Sequence, residues 1–128
     1  MLVKKLRAIE KSDADVTADE RRSRRLLLEG DGTGFSLHDT VIRAGTVTRM
    51  GYRNHLEAVC CIEGRGTLES IDDGRLWSIE PGTLYALDRH AKHILRADTA
   101  MRMVCVVSPP VVGAGLHRHG GSYPAAAE

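Results

Sequence analysis

Short apolar runs rich in β-branched residues, each bounded by glycine or another turn residue, recur along most of the chain. Runs of this length and composition are typical of β-strands. The predicted strands are Arg24–Glu29, Phe35–Ile42, Thr46–Met50, His55–Ile62, Thr67–Ile71, Leu76–Ile79, Thr83–Leu87, Lys92–Ala97 and Met101–Val107. A leading segment, Met1–Asp19, is predicted to add one short helix and one strand. Because the connections are too short for helical crossovers, the pattern predicts an all-β antiparallel barrel or jelly roll.

Length and charge narrow the choice of partners. A chain of 128 residues predicts a single domain over residues 1–128, with residues 124–128 as a frayed tail. Lys and Arg number 18 against 17 Asp and Glu, so the net charge is +1. This balance speaks against a nucleic-acid or anionic-membrane partner. The basic run Arg21–Arg25 is therefore predicted to be a solvated strand edge.

The N-terminal residues and the cysteines indicate in which cellular compartment the protein is expected. The segment MLVKKLRAIEKSD is too polar for the apolar core of a signal peptide. No window approaches the roughly 18 apolar residues that span a bilayer. We therefore expect a cytoplasmic protein in which Cys60, Cys61 and Cys105 are reduced and serve as small buried apolar residues.

Strand alternation places two polar side chains on one face. In the run that begins at His55, the side chains of His55, Glu57 and Val59 point the same way. If that face lines the barrel, its buried carboxylate is costly unless it meets a metal or another partner. Tyr85 and His93 lie on the strands that follow. Tyr85 could instead be a core tyrosine bonded to backbone, His93 a rim residue, and His55 a simple hydrogen-bond partner of Glu57.

The spacing of these residues resembles the cupin family. Glu57 and Gly64 stand at the ends of its first motif, a glutamate followed after six residues by glycine. Gly82 and His93 fall at the ends of its second motif. The two histidines that usually precede the glutamate are missing, so the chain has to supply another ligand. Tyr85 is the obvious additional oxygen ligand.

A more specific resemblance covers nearly the whole chain. The strings Asn54–Val59 and Cys61–Gly64, and Pro81–Asp88 with His93, resemble the signature of the ectoine synthase family. Further matches are Ser23–Arg25, Gly34–Ser36, His38–Thr40, Leu95–Ala97, Met101–Val106 and Gly121–Pro124. The resemblance implies a metal-dependent hydro-lyase that closes N4-acetyl-L-2,4-diaminobutyrate into ectoine, a compatible solute, with loss of water. It also implies a homodimer, and small barrels commonly cover an exposed strand edge with a partner.

The implied reaction needs a polarised amide carbonyl, a proton acceptor for the attacking amine and a proton donor for the departing oxygen. It also needs a cation for the substrate carboxylate, which the fork of an arginine binds well. Carried over by position, the resemblance implies that Glu57, Tyr85 and His93 bind Fe²⁺ or another divalent metal. It implies acid–base roles for Tyr52 and His55. It also implies that the substrate is contacted by Arg25, His38, Thr40 and His117.

Three positions depart from the family pattern. Arg21 stands where the family usually has tryptophan, Val107 where it has phenylalanine, and Gly115 where it has glutamate. These changes predict weaker substrate binding and slow cyclisation. An alternative function is a diverged small-molecule-binding cupin with weak or no turnover. An iron-dependent dioxygenase ranks last, because the usual two-histidine element is missing.

Overall fold

The computed structural model describes residues 1–18, 20–51, 55–87 and 91–112. Its elements are α1 (Leu6–Ile9), β1 (Asp15–Ala18), β2 (Arg21–Leu27), a 3-10 helix (Glu29–Asp31), β3 (Ser36–Ile42), β4 (Val47–Gly51), β5 (Leu56–Glu63), β6 (Gly66–Ser70), β7 (Leu76–Ile79), β8 (Leu84–Leu87), β9 (Lys92–Ala97) and β10 (Met101–Ser108). Among these residues no helix has the length and apolar character that crossing a membrane requires.

The strands form two antiparallel sheets. The larger has the order β1-β2-β3-β10-β5-β8, and the smaller has the order β4-β9-β6-β7. The main apolar cluster draws on both, with Val59 and Met103 from the larger sheet and Leu68 and Leu95 from the smaller. The sheets therefore pack face to face, and the predicted antiparallel barrel is confirmed. The short helix and strand predicted before residue 20 are also present.

The element boundaries differ most from the prediction at β2. This strand begins at Arg21, three residues before the predicted start, and a 3-10 helix takes over at Glu29. The prediction of a solvated edge for the basic run is wrong, because Arg24 and Arg25 are only 7% and 3% exposed. β2 lies between β1 and β3 and is therefore not an edge strand of the larger sheet.

A charged network on the outer face joins β2, β3 and β10. The Arg24 guanidinium donates to the Asp39 carboxylate at 2.6 Å, and Arg102 donates to the same carboxylate at 2.7 Å. Burial raises the pKa of Asp39, but the two guanidiniums outweigh it and hold that pKa below its usual value. Because a buried ion pair is costly to break, this network stabilises the packing of β2, β3 and β10. The inner faces of β2 and β3 carry Arg25 and His38.

Candidate active site between the two sheets

The interior face of β5 carries the polar residues expected there. His55 precedes the strand and is 1% exposed, and Glu57 within the strand is 7% exposed. Val59 follows on the same face and joins the main apolar cluster. The prediction that these three side chains share a buried face is therefore confirmed. A carboxylate in this position needs a partner that compensates its lost hydration.

Tyr85 and His93 meet near this face. Tyr85 pairs with Val59 across β8 and β5, so it lies diagonally opposite Glu57 on the same side of the sheet. His93, on β9 of the facing sheet, is 2% exposed. The ring centroids of Tyr85 and His93 are 6.3 Å apart, with planes inclined at 61°. The fold thus brings Glu57, Tyr85 and His93 to one region from three strands and both sheets.

Burial sets the protonation of these groups. It raises the pKa of Tyr85 well above its usual range, with Cys105 and Glu57 adding to the effect and Arg21 opposing it. Burial also lowers the pKa of both His55 and His93, so their imidazoles are neutral at pH 7. The Nδ1 atom of His93 lies 3.3 Å from the Ala91 carbonyl oxygen, which can only accept. Nδ1 therefore donates, and the lone pair of His93 is on Nε2.

The residues predicted to contact substrate line the inner faces of β2 and β3. Arg25 pairs with His38 across these strands, and Ser23 pairs with Thr40. Arg25, His38 and Thr40 are all buried, and the Arg25 Nε donates to the Ser23 hydroxyl at 3.4 Å. The structure therefore places Arg25, His38 and Thr40 on one interior surface. Their roles toward substrate stay predictions.

Cys105 belongs to the site, although its sequence indicated only a buried apolar role. Its thiol makes side-chain hydrogen bonds with Glu57 and Thr40, and burial followed by the Glu57 charge raises its pKa well above the usual range. Cys105 lies opposite both His38 and Val59, so it separates the two polar surfaces of the interior. The alternation of Met101, Met103 and Cys105 along β10 was a signal for this face.

Of the remaining positions singled out in the sequence, the structure describes some and not others. Tyr52, His117 and the departure at Gly115 lie outside the described residues. Val107 is completely buried and packs in a second apolar cluster with Met50 and Leu87. Valine at this position is therefore a packed part of the core.

The side chains of Glu57, Tyr85 and His93 offer three donor atoms that suit a divalent metal ion. Within residues 1–18, 20–51, 55–87 and 91–112, no group of three or more His, Cys, Asp or Glu side chains is placed to hold one. A three-ligand site in these ranges therefore needs another donor type, which the Tyr85 oxygen supplies. A carboxylate, a phenol oxygen and the Nε2 atom of His93 would form an oxygen–nitrogen set without thiolate, which fits iron or manganese better than a structural zinc.

A cavity leads from the surface toward two of these donors. It has a volume of about 330 Å³ and is lined by residues of β7, β8 and β9, including Tyr85 and His93. Trp77 and Leu84 line it nearer the surface. Its lining includes residues of β7 and β8, which are edge strands of the two sheets in the described part of the chain. A small molecule therefore has space beside both side chains.

Solved structures support the architecture. A Cupin_2 domain from a transcriptional regulator of Enterobacter cloacae is 14% identical, with a TM-score of 0.59 over 72% of this chain and 99% of that chain. This similarity shows the fold alone. The ectoine synthase from P. lautus is 52% identical, with a TM-score of 0.88 over 100% of this chain and 92% of that chain.

Sequence comparisons agree with this structural match. The L-ectoine synthase of Halalkalibacterium halodurans is 51% identical over 124 residues, or 97% of this chain and 96% of that protein. The L-ectoine synthase of Desulfatibacillum aliphaticivorans is 52% identical over 126 residues, or 97% of each. The family model described as ectoine synthase matches residues 1–127. With half of its residues shared over nearly its whole length, this chain belongs to the ectoine synthase family.

Proposed function

We propose that the chain closes N4-acetyl-L-2,4-diaminobutyrate into ectoine with loss of water. This makes it a carbon–oxygen lyase, the activity for which its relatives of about 50% identity are named. The observation that carries the proposal is the meeting of Glu57, Tyr85 and His93 between the sheets, beside a buried arginine suited to a carboxylate. The ring forms when the α-amine nitrogen bonds to the amide carbonyl carbon, and the amide oxygen leaves as water.

Glu57, Tyr85 and His93 hold a divalent metal ion, and iron is the proposed occupant. Three protein ligands leave positions open for substrate, as a catalytic site requires. When bound, the metal supplies Lewis-acid polarisation of the amide carbonyl. The support for this assignment is the donor set and its convergence from both sheets. Cys105 donates to Glu57 from beside the set and orients its carboxylate.

The other interior side chains bind substrate and move protons. Arg25 binds the substrate carboxylate through two parallel N–H···O bonds, while His38 and Thr40 line the same surface. Neutral His55 accepts the proton that the α-amine loses as the N–C bond forms, which its lowered pKa allows. Tyr52 protonates the departing oxygen, a role that rests on the family resemblance.

The proposed setting is the cytoplasm, where ectoine acts as a compatible solute under osmotic stress. The three cysteines are free thiols, as a reducing compartment requires. Cys61 and Cys105 are buried, as predicted, while Cys60 is half-buried.

Incubating the purified, iron-loaded chain with N4-acetyl-L-2,4-diaminobutyrate tests the function directly. We expect ectoine to form at a detectable but slow rate, because Arg21 and Val107 replace aromatic residues of the family pattern. Chromatography with mass detection measures ectoine and the remaining substrate, and chelator-treated protein is the control. If iron-loaded protein gives no more product than the control, the proposed metal-dependent cyclisation is wrong.

The outer face of the larger sheet supports a homodimer. Leu56 and Ile62 of β5, Leu84 of β8 and Val106 of β10 are exposed apolar residues on neighbouring strands. β8 is also the edge of this sheet, so its outer side has unpaired backbone groups in the described part of the chain. A second copy that covers this surface would bury the apolar side chains and the edge together.

Leu84→Asp is expected to weaken this dimer, because it puts a charge into the apolar surface. Sedimentation velocity at micromolar concentration should show a species near twice 14.0 kDa for the wild type and a shift toward 14.0 kDa for the variant. Val47→Asp is a matched control, because Val47 and Leu84 are both 65% exposed but Val47 lies on the smaller sheet. A wild-type monomer, or equal effects of both variants, would contradict the proposed surface.

A further inference from the structure

The cavity beside Tyr85 and His93 has mainly apolar walls and more room than an acetyl group fills. Its volume is about 330 Å³, and its apolar lining includes Leu68, Trp77, Ile79, Leu84, Leu87 and Ala91. A methyl group is about the size of a water molecule, which takes up about 30 Å³ of liquid. The methyl of an acetyl group would therefore leave most of the cavity empty.

The register of the larger sheet places this cavity at one end of the interior. Five residues form one row across the sheet, because each pairs with the next from β2 to β8: Arg25, His38, Cys105, Val59 and Tyr85. Neighbouring strands lie about 4.8 Å apart, so the two ends of the row are separated by four spacings, or about 19 Å along the sheet. Tyr85 lines the cavity, so the cavity lies at the end of the row that is far from Arg25.

We propose that this cavity receives the acyl group of the substrate, and that the chain also cyclises N4-acyl-L-2,4-diaminobutyrates whose acyl chains are longer than acetyl. The inference rests on the proposed function, because that function places the substrate carboxylate on Arg25 and the reacting carbonyl beside Tyr85 and His93. In the closed ring, the carboxylate and the acyl chain are attached to different ring atoms and point away from each other. The acyl chain therefore extends away from Arg25, toward the cavity.

A longer acyl group changes the product at one ring carbon only. The α-amine nitrogen bonds to the acyl carbonyl carbon, and the oxygen of that carbonyl leaves as water with two hydrogens from the nitrogen atoms. An N4-butyryl substrate thus gives the analogue of ectoine that has propyl in place of methyl. Each methylene buried in an apolar cavity can raise kcat/KM up to about fourfold. A pocket closed tightly around acetyl would instead reject each methylene by about tenfold or more.

Trp77 forms the wall of the cavity on the side of the solvent. It pairs with Leu68, which is buried between the sheets, so the Trp77 side chain is on the inner face of the smaller sheet. The Arg75 guanidinium packs over the Trp77 ring, with its central carbon 4.9 Å from the ring centroid. Trp77 is 39% exposed, so it stands between the cavity and water. It is therefore the residue that a longer acyl chain contacts and an acetyl group does not reach.

Steady-state kinetics of the iron-loaded full chain with N4-acetyl- and N4-butyryl-L-2,4-diaminobutyrate tests this inference. We expect a butyryl-to-acetyl ratio of kcat/KM of about one or more for the wild type. Trp77→Ala should lower the ratio about threefold or more, because the end of the butyryl chain then meets water in place of the indole ring. Phe35→Ala is the matched control and should leave the ratio unchanged, since Phe35 is an aromatic residue of 37% exposure that does not line the cavity.

Fluorescence gives a readout that does not depend on cyclisation, because Trp77 is the only tryptophan in the sequence. The butyryl compound should protect Trp77 from acrylamide quenching more than the acetyl compound does. The inference is overturned if the wild-type ratio is below about one-tenth, if Trp77→Ala keeps the wild-type ratio, or if Phe35→Ala lowers it as much. Should Trp77→Ala fail to fold, equal protection of wild-type Trp77 by the two compounds overturns it.

The two proposals can fail separately. Cyclisation of the acetyl compound alone would contradict only the acyl cavity. If neither compound cyclises, the proposed function is wrong, and stronger protection of Trp77 by the butyryl compound would still support the cavity as the site of the acyl chain.

Discussion

Glu57→Gln is expected to lose bound iron and to slow cyclisation by at least about 10³-fold. The substitution keeps the size of the buried side chain. It removes the negative charge that would compensate the proposed divalent cation. A Lewis acid contributes several kcal/mol to stabilising such a transition state, and each 1.4 kcal/mol corresponds to tenfold in rate. Elemental analysis of the purified variant measures iron per chain, and the ectoine assay measures the rate.

Glu63→Gln is the control for this prediction. Glu63 lies on the same strand, but its side chain is 68% exposed and its ion pair with Arg102 is long, at 3.8 Å. We expect it to keep wild-type iron content and rate. Full iron content in Glu57→Gln would show that Glu57 is not a ligand. Loss of iron with undiminished cyclisation would show instead that the metal is not needed for the reaction.

Gly64→Ala is expected to destabilise the fold by more than about 4 kcal/mol, which is at the upper end of single-residue effects. Gly64 has φ of +90°, a conformation that side chains with a Cβ adopt only at a cost. An added Cβ would overlap the carbonyl oxygen of Ala100 and lie 2.8 Å from the Met101 Cα atom. Both neighbours are backbone atoms at the start of β10, so they cannot move aside without disturbing the central strand of the larger sheet.

Gly74→Ala separates the free-energy cost of a positive φ from the cost of steric overlap between the added Cβ and neighbouring atoms. Gly74 has φ of +70°, and no described atom lies within 4 Å of the position that its Cβ would take. We expect it to cost about 1–2 kcal/mol. Urea denaturation followed by circular dichroism gives the free energy of unfolding for both variants, and the soluble yield reports a Gly64→Ala chain that does not fold. Similar values for the two variants would show that the β10 backbone adjusts easily.

The sequence predicted the local part of the site well, because strand periodicity is a property of neighbouring residues. Alternation alone put His55, Glu57 and Val59 on one face, and the structure buries that face. Glycines marked the turns, so β7 and β9 begin and end where they were predicted. The family resemblance added the reaction, which alternation could not indicate.

The tertiary structure decided which of these faces meet, because strand order and the packing of the two sheets determine which side chains face one another. Tyr85 and His93 come into contact only because β8 and β9 belong to different sheets that face each other. The same packing turned Cys105 from a small core residue into a hydrogen-bond partner of Glu57. It also split the basic run of β2, so that Arg24 bonds to Asp39 on the outer face while Arg21 points inward at Met50. A local pattern gives each side chain a face, but only the pairing of distant strands determines what that face contacts.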